Sequence, residues 1–145
     1  MIQRTLEEID SYKVPEYLVE RVAEHNGYSL EYSQMLAREA KRMLYLTTLT
    51  PEATVPSYAV DMAWHEMIVF TKWYEEYAVF IGKFIHHIPE KPPAVPRPSL
   101  FEKVIRVIRE KFVETKEVPD SPAYKKTKEN YERYLKEKPD KQYWP

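Results

Sequence analysis

Residues 57–82 read SYAVDMAWHEMIVFTKWYEEYAVFIG. At about 100° per residue, Val60, Ala63, Trp64, Met67, Thr71, Tyr74, Ala78 and Ile81 fall on one side of a helix. Met62, Val69, Phe70, Trp73 and Tyr77 cover much of the rest, and only a narrow stripe of Asp61, His65, Lys72, Glu75 and Glu76 stays polar. Ser57 can cap the start and Gly82 can close the end. No Pro or Gly interrupts the run, and sharp kinks usually need one. The pattern therefore predicts one unbroken helix, 57–81, apolar nearly all round and so central and largely buried.

The flanks extend the helical pattern. Pro15 opens a helix that Asn26-Gly27 stops, and a shorter turn precedes it near Leu6–Ile9. Ser29 caps a second long helix whose stripe is Leu36, Ala40, Met43 and Leu44, ended by Thr50-Pro51. Beyond Gly82, the proline-dense run at 88–98 reads as an extended connector. Ser99 and Glu102 form a capping box for a helix at 100–114. Ser121-Pro122 opens the last helix, which Pro139 ends. The expectation is an all-α chain: a single domain, 1–145, of about five helices around helix 57–81.

Composition excludes several classes of function. The 145 residues are 43% hydrophobic and 31% charged, enough to bury a core. A net charge of -1 argues against nucleic-acid binding. With no cysteine there is no disulfide framework, thiolate nucleophile or Cys-based zinc site. Two glycines are too few for Gly-rich phosphate loops. No apolar run is long enough to span a membrane, and the acidic start, MIQRTLEEID, does not read as a signal peptide, so a cytoplasmic location is expected. Twelve prolines, two asparagines and abundant Lys and Glu resemble a thermophile's usage.

One set of residues carries metal chemistry. Asp61 and His65 are four apart and share a helix face. His86 and His87 follow Gly82 closely. A carboxylate with two imidazoles suits Zn²⁺ or Fe²⁺ and leaves positions open for water or substrate. In an extended segment neighbouring side chains point opposite ways, so His86 and His87 should not face the same ion. Distance opposes the site. The helix from His65 to Gly82 spans about 25 Å, and residues 83–87 reach back about 18 Å at most. A joint site needs either a break near Lys72–Tyr77 or a second subunit; with no Pro or Gly in 57–81 to make the break, the reading favours a site shared between two antiparallel subunits of a homo-oligomer, or no joint site. Asp61 is then a helix-start charge. The competing function is a non-catalytic protein–protein interaction module using the aromatic-rich surface and the proline segment.

The same stretch resembles the hallmark of the glycine-rich domain-containing protein-like family. The residues that carry the resemblance are Pro56-Ser57, Val60-Asp61, Trp64-His65, Thr71, Tyr74, Gly82, His86-His87 and Pro89, with Tyr124, Thr127, Tyr131 and Trp144-Pro145 in a looser tail. Glu66-Met67 departs from the pattern. The resemblance implies a helical fold and a shared Asp/Trp/His/His set, adding Trp64, Thr71 and Tyr74 as site residues.

Overall fold

A computed structural model describes residues 2–88 and 121–145. Among them there are six helices and no strand, so the all-α expectation holds. The helix expected at 100–114 and the connector at 88–98, apart from Ile88, lie outside the described residues. Residues Met1–Ile85 and Val118–Pro145 form one compact unit, and His86–Glu117 a second. Of the second, only His86, His87 and Ile88 are described, continuing the chain directly from Ile85.

The first helix, α1 (Leu6–Ser11), is longer than the turn expected there. Its start is a capping box: the Thr5 side chain accepts from the Glu8 amide, and the Glu8 carboxylate accepts from the Thr5 amide. Next, α2 (Glu16–Asn26) ends at Gly27, whose φ of 69° is the left-handed conformation that terminates helices. The Ser29 hydroxyl caps α3 (Leu30–Leu49).

At the centre lies α3, packing against α1, α2, α4 (Tyr58–Val69) and the last helix, α6 (Pro122–Leu135). Its buried face carries the expected Leu36, Ala40, Met43 and Leu44. It also buries three charged side chains, Glu39, Lys41 and Arg42, that periodicity assigns to solvent. Each is paired, as burial demands. Lys41 donates to the carbonyls of Ile9, Asp10 and Tyr12, satisfying the open end of α1. Arg42 holds Asp10 through two hydrogen bonds and reaches Glu137. Glu39, 1% exposed, accepts from the Tyr131 hydroxyl and from Trp144 Nε1, tying α6 and the C-terminal segment to α3.

The expected single helix 57–81 is two helices. Helix α4 stops at Val69, Phe70 takes φ -87° and ψ 67°, and α5 runs Thr71–Ile81. The break needs no Pro or Gly. Ile68, Val69 and Thr71 are β-branched and weaken the helix around Phe70. The two halves also bury different stripes: Val60, Ala63, Trp64 and Met67 in α4, and Trp73, Tyr74, Tyr77, Ala78 and Ile81 in α5. The all-round apolar character belongs to two amphipathic helices with shifted faces, and α3 takes the central position instead. Among the described residues, no side chain caps the α5 start.

Candidate metal centre

Helix α4 sets two of the site residues. Ser57 caps it, so Asp61 and His65 lie on adjacent turns of one face. His65 Nδ1 lies 2.7 Å from the Asp61 carbonyl oxygen and 3.6 Å from its Oδ2. A carbonyl only accepts, so Nδ1 is the donor and the neutral ring carries its lone pair at Nε2. A backbone carbonyl orienting one ring nitrogen is the usual outer support of a metal-binding histidine.

The break at Phe70 brings the third residue. It turns α5 back along α4, so that Trp64 Nε1 donates to the Tyr74 hydroxyl at 3.0 Å. In a continuous helix these two residues would stand about 15 Å apart along the axis. The Tyr74 hydroxyl donates in turn to the Ile85 carbonyl at 2.6 Å. Burial pushes the Tyr74 phenol up from its ordinary value, which keeps that proton in place. The chain reverses through Gly82, φ 84°, where Lys83 and Gly82 donate to the carbonyls of Ala78 and Val79. A side chain at Gly82 would also press on Ile2, 3.1 Å from the position of its Cβ.

Two residues past Ile85, His87 completes the set. One ligand atom each from Asp61, His65 and His87 lie within 4.8 Å of one another. The three belong to a single chain, joined by a break in the helix, which falls at Phe70 rather than near Lys72–Tyr77. An unbroken helix would hold His87 out of reach of His65, and the break at Phe70 removes that distance. Asp61 and His87 are half-buried and His65 is exposed. His86 is exposed and outside the cluster.

The remaining expected residues separate. Trp64 and Tyr74 are buried and act as anchors of the exit segment, while Thr71 is exposed at the first position of α5. The anchor chain Trp64–Tyr74–Ile85 was not legible in the sequence, because its geometry exists only once the helix breaks. Beside the cluster, Glu66 accepts from Arg21 Nε and lies 3.0 Å from His25 Nδ1, joining α4 to α2 rather than to the cluster.

These features define an all-α protein with a carboxylate and two imidazoles gathered in one chain. It belongs to the UCP032817-like family, whose model matches residues 4–120. That match overturns the resemblance to the glycine-rich domain-containing protein-like family: the family shown is the UCP032817-like one. No curated protein and no solved structure matches the chain.

Proposed function

We propose that the protein binds one divalent transition metal ion, zinc or ferrous iron, through Asp61, His65 and His87. The observation that carries this reading is the convergence of the three ligand atoms within 4.8 Å. Two imidazoles and one carboxylate are a donor set for either ion. Three protein ligands leave further coordination positions for water or substrate, the arrangement of a catalytic rather than a closed structural site. The exposure of His65 gives a small molecule access from solvent.

The reading has a direct test. Purified protein loaded with Zn²⁺ and dialysed should retain about one ion per chain, and His65→Ala should retain none. Protein that keeps no metal, and whose unfolding midpoint is unmoved by added Zn²⁺ or Fe²⁺, would return the cluster to a local charge pair. The interaction-module reading would then be the better one.

A further inference from the structure

The turn that leads from α5 towards His87 is held by a distant part of the chain. The last turn of α5 contains no basic side chain. A cation is favourable at a helix C-terminus, where the final carbonyls lack helical partners. Arg4, 76 positions earlier, supplies it: its Nε donates to the Phe80 carbonyl at 3.1 Å. Its guanidinium also lies over the Phe80 ring, 4.2 Å from the centroid, a cation–π contact. Beside it, the Ile2 side chain sits 3.1 Å from where a Cβ on Gly82 would stand.

Arg4 is itself fixed. The Tyr45 hydroxyl, buried on α3, accepts from the Arg4 amide at 2.8 Å and donates to the Arg4 carbonyl at 2.9 Å. Arg4 Nη1 pairs with Glu8 of α1 at 3.2 Å. Residues 2–4 therefore tie the end of α5 to both α1 and α3. They hold the entry of the 82–85 turn, while the Tyr74 hydroxyl holds its exit at the Ile85 carbonyl. A turn held at one point can still pivot there; held at both ends, its direction of departure is set. His87 leaves two residues beyond the second hold.

We infer that Arg4, with Ile2, is a positioning residue for the His87 arm of the metal centre. This rests on the reading of Asp61, His65 and His87 as metal ligands. The test is Zn²⁺ titration of the full chain against a competing chelator. Arg4→Leu should weaken Zn²⁺ binding by roughly two- to fivefold, the range set by the worth of a cation at a helix end. Arg4→Lys, which keeps the charge, should restore at least part of the loss. Ser121→Ala removes the α6 cap and should leave Zn²⁺ affinity unchanged. In metal-free protein, Arg4→Leu should speed amide exchange at Gly82 and Lys83, whose amides close the end of α5. Zn²⁺ affinity unmoved by Arg4→Leu, an equal loss in Ser121→Ala, or unchanged exchange at Gly82 and Lys83 would each overturn this assignment alone. Wild-type protein without Zn²⁺ affinity would overturn the metal reading and this assignment with it.

Discussion

Tyr74 does two jobs with one hydroxyl. It accepts from Trp64 and donates to Ile85, both in the protein interior. Removing that oxygen leaves an indole N–H and a carbonyl without their partner, which costs about 1–3 kcal/mol. Tyr74→Phe should therefore lower the unfolding free energy by about that amount in urea titrations. It should also weaken metal binding, because the Ile85 carbonyl it holds fixes the chain two residues before His87. A stability loss without a change in metal affinity would make Tyr74 a packing residue only. Lys41 offers a separate residue-scale test. Burial holds its ammonium down at about 8, against 10.5 ordinarily, with Asp10 opposing and Arg42 and Arg38 assisting. Below pH 8 both folded and unfolded chains carry this proton, and the burial penalty is fully present. Between pH 8 and 10.5 the unfolded chain holds the proton more tightly, so this group makes stability rise with pH across that window. The Lys41 ¹³Cε resonance should titrate near pH 8; a midpoint near 10.5 would refute the assignment.

Among the elements, the hinge at Phe70 matters most. The first amides of α5 have no partner within the helix, and no side chain among the described residues caps them. Amide exchange should be faster at residues 71–73 than in the middle of either α4 or α5. Uniform protection from 60 to 80 would mean a continuous helix and would undo the site. The helix ends were legible from short-range chemistry: Ser29, Ser57 and Ser121 cap starts, and Gly27 and Gly82 close ends as expected. The hinge was not, because local spacing gives one apolar helix from 57 to 81. The β-branched Ile68, Val69 and Thr71 weaken the run locally, and the packing that brings Trp64 to Tyr74 selects the break there. The buried charges of α3 were hidden for the same reason. Glu39 finds its partners Tyr131 and Trp144 far along the chain, where no periodicity points.

At the scale of the whole molecule, the long-range pairs hold together what the site needs. The ends of the chain meet on α3 through Arg42 to Asp10 and Glu39 to Trp144, while Ser57, the cap of α4, also donates to the Tyr143 carbonyl. The start of the helix that carries Asp61 and His65 is thus fixed by the C-terminal segment. The ligand types were legible as residues four apart and as a His-His pair; their meeting in one chain was not, since it depends on the hinge. The most direct measurement is a Zn²⁺ titration of metal-free monomeric protein and of Asp61→Asn, His65→Ala, His87→Ala and His86→Ala. One site per monomer is expected, lost or weakened at least tenfold in the first three variants and unchanged in His86→Ala. No binding by the wild type, or equal effects of His86→Ala and His87→Ala, would contradict the account.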